Sequence, residues 1–229
     1  MAYTTIDNPE LYFQVKMYSG TGSSNAITLD GDEDMQPDMI WIKNRADSVD
    51  HRIFDSVREA SKSLIPNNTD AEYDDTSTVM LSSFNSDGFT VVSHSNVNDS
   101  SDSHVAWCWK ESADAGFDIV TYAGDGVSGR NISHSLSAVP HVMIVKNRTN
   151  AIKWVVYHHK MASDPETDHL RLDTTAVIAD DDSTWDDTAP GSSVFRVKSS
   201  TSTNGNSANY VAYLFSEKQG YSKFGVFEG

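Results

Sequence analysis

The sequence contains one cysteine, Cys108, in 229 residues. An intrachain disulfide and a cysteine-based metal cluster are therefore excluded, and folding in a reducing cytoplasm is compatible with this. Long apolar runs are also missing. The longest, Tyr210-Val-Ala-Tyr-Leu-Phe215, spans six residues, far short of the ~20 that a membrane-spanning helix needs, so no membrane insertion is expected. The N-terminus, MAYTTIDNPELYFQ, has no basic stretch ahead of an apolar one. It does not read as a signal peptide, and secretion is not expected. Positive charge is scarce: 17 Lys and Arg face 33 Asp and Glu, for a formal net charge of −16. Phosphate contacts need clustered cations, so nucleic acid is not an expected partner.

Catalytic signatures are equally sparse. There is no HExxH, no G-x-S-x-G elbow and no phosphate-binding glycine loop between a strand and a helix. Eight histidines are scattered along the chain. His158 and His159 are adjacent, but successive strand residues point to opposite faces, so the pair is not expected to converge on a metal. No catalytic residue and no metal-ligating set is expected, although two of many carboxylates could sit at glycosidase spacing.

What the chain does contain is short segments rich in β-branched and aromatic residues. Met39-Ile-Trp-Ile42, Phe89-Thr-Val-Val92, Val105-Ala-Trp-Cys-Trp109, Val142-Met-Ile-Val145, Trp154-Val-Val-Tyr157, Val194-Phe-Arg-Val197 and Tyr210-Val-Ala-Tyr-Leu-Phe215 all fit this description. Such residues suit a pleated, packed surface. Ser, Asn, Asp and Gly clusters separate them, and Asp87-Gly88 and Asp125-Gly126 are tight-turn signals. One helix is expected: Ser56-Val-Arg-Glu59 fits a capping box, Val57, Ala60 and Leu64 mark one stripe, and Pro66 ends it.

The chain also repeats itself. Tyr18-Ser-Gly-Thr-Gly22 recurs as Tyr122-Ala-Gly-Asp-Gly126, and Pro37-Asp-Met-Ile-Trp-Ile-Lys-Asn-Arg45 as Pro140-His-Val-Met-Ile-Val-Lys-Asn-Arg148. Val105-Ala-Trp-Cys-Trp109 recurs as Val211-Ala-Tyr-Leu-Phe215. A spacing of about 104 residues is too long for a solenoid repeat of 20–50 residues. The expected fold is all-β: two related β-sandwich modules, jelly-roll or lectin-like, over 1–115 and 116–229, with one short helix. Gly220-Tyr-Ser-Lys-Phe-Gly225 resembles a further module opening.

Several residues are candidates for function. Lys43-Asn44-Arg45 and Lys146-Asn147-Arg148 follow apolar segments; twice-repeated at a framework position, they read as strand-end caps rather than an anion site. Asp180, Asp182 and Asp186 surround Trp185, and this loop is the candidate ligand site. Trp185 is expected to be the most exposed tryptophan, while Trp41, Trp107 and Trp109 are expected in the core. No cofactor is required, but calcium could relieve repulsion among the aspartates if they converge.

The motifs carry a resemblance. Tyr3-Thr-Thr-Ile-Asp7, Tyr18-x-Gly-x-Gly22, Trp41-Ile-Lys-Asn-Arg45, Asp55-Ser-Val-Arg58, Ser86-Asp-Gly-Phe89 and Pro165-Glu-Thr-Asp-His-Leu170 resemble a tandem-repeat module of tailed-phage virion proteins, common in marine and cyanobacterial phages. Those proteins are described as tail fibres or uncharacterised structural proteins. One departure is Glu59, where similar proteins often carry Gly. The resemblance implies a virion component made in the host cytoplasm, homo-oligomeric, contacting other virion proteins and a host-surface glycan. It supplies no catalytic residues. A tail fibre or tail-associated adhesin is the first expectation. A capsid decoration protein is the second, because no shaft segment is evident, and a glycan-degrading enzyme is the third.

Overall fold

The computed structural model describes residues 4–74 and 79–227. The fold is all-β and sandwich-like, as the sequence pattern predicts. The first module runs β1 (Phe13–Ser19), β2 (Asn25–Ile27), β3 (Met39–Asn44), β4 (Arg52–Asp55), β5 (Lys62–Ser63), β6 (Tyr73–Asp74), β7 (Leu81–Asn85), β8 (Gly88–Val91), α1 (Ser95–Asn98) and β9 (Ser103–Trp109). The second runs β10 (Phe117–Ala123), β11 (Arg130–Ser133), β12 (Val142–Asn147), β13 (Val155–His158), β14 (Asp168–Arg171), β15 (Ala179–Asp180), β16 (Val194–Val197) and β17 (Asn209–Phe215).

The two modules share one wiring. One sheet of the first has the order β1-β9-β3-β4, opposed by β2-β8-β7; the second has β10-β17-β12-β13-β14-β15, opposed by β11-β16. All pairs are antiparallel, and the last long strand of each module is inserted between its first and third. Strand alternation sets the faces. His104, Ala106 and Cys108 on β9 are buried, whereas Val105, Trp107 and Trp109 are only half-buried. Ile40, Ile42, Phe54, Ala106 and Cys108 meet Ile27, Leu81, Phe89 and Val91 of the opposing sheet in one core. Its counterpart gathers Met143, Val145, Tyr157, Ala212 and Leu214 with Ile132, Phe195 and Val197. Each Ile, Val, Leu, Phe or Met among them contributes about 1.5–3 kcal/mol by leaving water.

By contacts, the chain forms two compact units. The smaller comprises 8–67 and 72–111, and the larger comprises 112–229 with 1–7 and 68–71. The short segment 68–71 thus counts with the larger unit, although the chain on either side of it belongs to the smaller.

The expected helix at 56–64 is not formed. Asp55, one residue ahead of the capping box, takes the Arg58 amide on Oδ1 at 2.8 Å and pairs with the Arg58 guanidinium through Oδ2. That is the bond a helix N-cap makes, but the turn it closes is not propagated. Glu59 then adopts φ 82°, a left-handed conformation that no right-handed helix can include. Among the described residues the one α-helix is α1, a single turn at Ser95–Asn98 whose cap is the His94 ring nitrogen.

Candidate functional site

The Tyr-x-Gly-x-Gly repeats build matching corners. Tyr18 Oη donates to Val97 O at 2.6 Å, and Tyr122 Oη to Thr203 O at 2.7 Å. Tyr18 stacks on His104 with centroids 5.2 Å apart, and Tyr122 on Tyr210 at 5.1 Å. Gly20 is obligatory: a Cβ there would lie 1.9 Å from the Asp99 carbonyl oxygen. Asn98 Oδ1 accepts from Thr21 N at 2.9 Å, and Asn204 Oδ1 accepts from Asp125 N at 3.1 Å. The Asn204 amide also donates to Val127 O and Lys198 O. These buried carboxamides, which the sequence motifs did not single out, fasten the loops at one end of each sandwich.

The two Lys-Asn-Arg segments act as strand-end caps. Asn44 Oδ1 accepts from Ala46 N and Asp47 N, and Asn147 Oδ1 from Thr149 N and Asn150 N. Their amides reach across to Ser95 O and Thr201 O. The lysines differ. Lys43 is half-buried and donates to Asn44 O and Asp47 O. Lys146 is fully buried and donates to Ile152 O and to Thr69 O at 2.9 Å, with Trp154 beside it. Burial lowers the Lys146 ammonium to about 8.

In the candidate acidic loop the aromatic ring is not at the surface. Trp185 is 1% exposed, and its Nε1 donates to Asp168 O at 2.9 Å. It meets Tyr157 edge-on in the core, so the expectation of an exposed ring is corrected. Asp182 pairs with Lys198 Nζ at 2.7 Å and Asp186 with Arg196 Nη2 at 2.9 Å. Asp180 lies exposed on β15. The aspartates flank a buried anchor and are met by cations from the neighbouring β16 segment. Three further tryptophans are also corrected: Trp41, Trp107 and Trp109 lie half-buried on the outer face of their sheet rather than in the core. Trp41 Nε1 donates to His51 Nδ1 at 3.0 Å.

The histidines come closer than strand alternation implies, because His159 falls just beyond β13. The His141 and His159 rings are 4.5 Å apart, and His158 and His159 are 5.2 Å apart. Their nitrogens serve the backbone. His159 Nε2 lies 3.2 Å from Phe224 O, His141 Nδ1 accepts from Glu217 N, and His158 Nδ1 accepts from Lys160 N. Beside them, Met161, Leu170 and Ile178 line an open apolar hollow of about 340 Å³. Among the described residues, the one carboxylate group with metal-ligand spacing is Asp47, Asp99 and Asp102, within 4.8 Å of one another. Asp102 Oδ2 there already accepts from Asn44 Nδ2 at 2.8 Å. Cys108 is buried, and its thiol is pushed up to about 12, so it is not a nucleophile at neutral pH.

These features define a duplicated all-β scaffold whose polar side chains mainly fasten loops. A family described as a domain of unknown function, DUF7483, matches residues 8–229, and the chain belongs to that family. No curated protein and no solved structure matches the chain.

Proposed function

We propose that the chain is a structural component of a tailed-phage particle, a tail fibre or tail-associated adhesin that contributes to host-surface attachment. The observation that carries this reading is duplication. One sandwich is built twice, with β1-β9-β3-β4 matched by β10-β17-β12-β13 and the same Tyr, Gly and Asn fastenings, so the chain presents related loop clusters on stiff frames. Repeated weak sites gain avidity when several engage one surface. The phage setting rests on the motif resemblance. In this reading the partners are other virion proteins, further copies of the chain and a host-surface glycan, with no nucleic acid and no membrane insertion. A formal charge of −16 keeps such a surface soluble in salt.

A capsid decoration protein is the second reading. It is favoured by the lack of a shaft: among the described residues the strands reach at most seven residues and the α-helix spans four. A glycan-degrading enzyme is the third, and release of reducing ends from host polysaccharide would reveal it. The adhesin reading is tested by incubating fluorescently labelled protein with host cells. Saturable retention, competed by isolated surface polysaccharide, is expected. No retention, with binding to capsid shells instead, would transfer the assignment to the second reading.

A further inference from the structure

The same sheet face is closed in one unit and open in the other. In the larger unit, the outer face of β10-β17-β12 carries Ile119 at 5% exposure, with Val211, Tyr213 and Lys146 at 1% or less. Their register equivalents in the smaller unit are Val15, Val105, Trp107 and Lys43. Val15 is 48% exposed, and the other three are half-buried. Equivalent apolar positions therefore remain wetted in one copy of the fold and dry in the other.

Segment 68–71 belongs to the larger unit, as residues 1–7 do, and meets its closed face at Lys146, whose ammonium donates to Thr69 O. This segment sits in the loop of the β5–β6 hairpin. The β14–β15 hairpin is its counterpart: Lys62 pairs with Asp74 and Ser63 with Tyr73, as Asp168 pairs with Asp180 and His169 with Ala179. The two loops have equal length, so 174–177 corresponds to 68–71. Yet Thr175 and Ala176 are exposed, and Val177 is 86% exposed. One chain thus displays an unfilled face and an undocked loop that, by the repeat, match each other.

We propose that the 174–177 loop of one copy docks on the outer face of β1-β9-β3 in a second copy, repeating the arrangement found inside the larger unit. Val177 then covers apolar surface around Val15 and Trp107. The Thr175 carbonyl accepts the third N–H of Lys43, whose other two are held by carbonyls of its own module. Charge is complementary: Lys43 and Arg45 edge the open face, and the hairpin ends on the exposed Asp180. The contact joins two different surfaces, so it is heterologous and propagates into a ring or a filament. It specifies how copies associate, and it rests on burial and register rather than on the phage assignment.

The test uses the full chain, with mass followed by light scattering over a wide concentration range. Val15→Glu removes the face and Val177→Glu removes the loop; both side chains are solvent-exposed, and unchanged circular dichroism melts confirm folding. Wild type should rise above the 25.2 kDa single-chain mass with concentration. Each variant alone should lose at least about tenfold in association, the equivalent of about 1.4 kcal/mol. An equimolar mixture should form a dimer, because Val15→Glu supplies an intact loop and Val177→Glu an intact face. A wild type that stays at single-chain mass would overturn the proposal. So would association that survives either substitution, or a mixture that stays monomeric.

Discussion

Arg58 and Asp55 form a buried ion pair: neither side chain is exposed, and the guanidinium donates through Nε to one carboxylate oxygen while the Arg58 amide donates to the other. Arg58 also reaches Glu72 through Nη1 at 2.9 Å. Removing one partner leaves a buried charge uncompensated, which typically costs about 3–5 kcal/mol. Asp55→Ala is therefore expected to lose stability on that scale in urea denaturation, while Glu72→Gln, at the wetter end, should lose clearly less. Equal losses would contradict this account.

Glu59, the next residue, occupies φ 82°. A left-handed conformation costs a residue with a Cβ about 1–2 kcal/mol, partly offset by the greater freedom glycine has when unfolded. Its ion pair with Lys62, at 3.4 Å, involves a carboxylate that is 75% exposed and contributes little. Glu59→Gly is expected to raise the melting temperature, by a gain of about 0.5–1 kcal/mol. A lowered melting temperature would show that the exposed ion pair outweighs the backbone strain.

Asn204 is fully buried and has carboxamide bonds to Asp125, Val127 and Lys198. Replacing it by Ala strands several groups, each costing about 1–3 kcal/mol when left unsatisfied. Asn204→Ala and Asn98→Ala should both destabilise. Hydrogen exchange should speed up around 125–127 in the first and around 21–23 in the second. Uniform acceleration across the chain would argue that these residues do not fasten particular loops.

Six histidines, His51, His104, His134, His141, His158 and His169, have lowered proton affinity, in each case chiefly because burial disfavours the charged ring. The unfolded chain then binds more protons than the folded one below about pH 6.5. Their contribution to stability is complete above that value and is lost as pH falls through the lower folded values. Long-range charge works the other way, since protonation reduces a net charge of −16. The melting temperature is expected to fall between about pH 6.5 and 5, and His141→Gln should shallow that slope. A rise over the same window would mean that long-range repulsion dominates.

Much of the frame is legible in the sequence because strand alternation is local. Val105-Ala-Trp-Cys-Trp109 marks β9 with its two faces, and Asp87-Gly88 marks the β7–β8 turn, where Gly88 adopts φ 114°. Alternation separates two faces but does not say which one is covered. That is why Trp107 and Trp109 read as core and lie half-buried. Trp185 fails in the opposite direction. Its flanking aspartates suggest solvent, but Lys198 and Arg196, distant in sequence, pair with Asp182 and Asp186 while the ring enters the core. The helix reading failed at Glu59, whose positive φ stops the chain from propagating the turn that Asp55 caps. The difference between Lys43 and Lys146 has no sequence signal, because both sit in the same Lys-Asn-Arg motif and only the tertiary fold buries one.

The assignment to a phage particle is tested most directly by immunogold electron microscopy. Antibodies raised against this chain would be applied to intact particles released from cells carrying its gene. Gold confined to the tail, at a few sites per particle, is the expected result. Gold spread over the head would contradict the tail assignment, and unlabelled particles would contradict a virion role altogether.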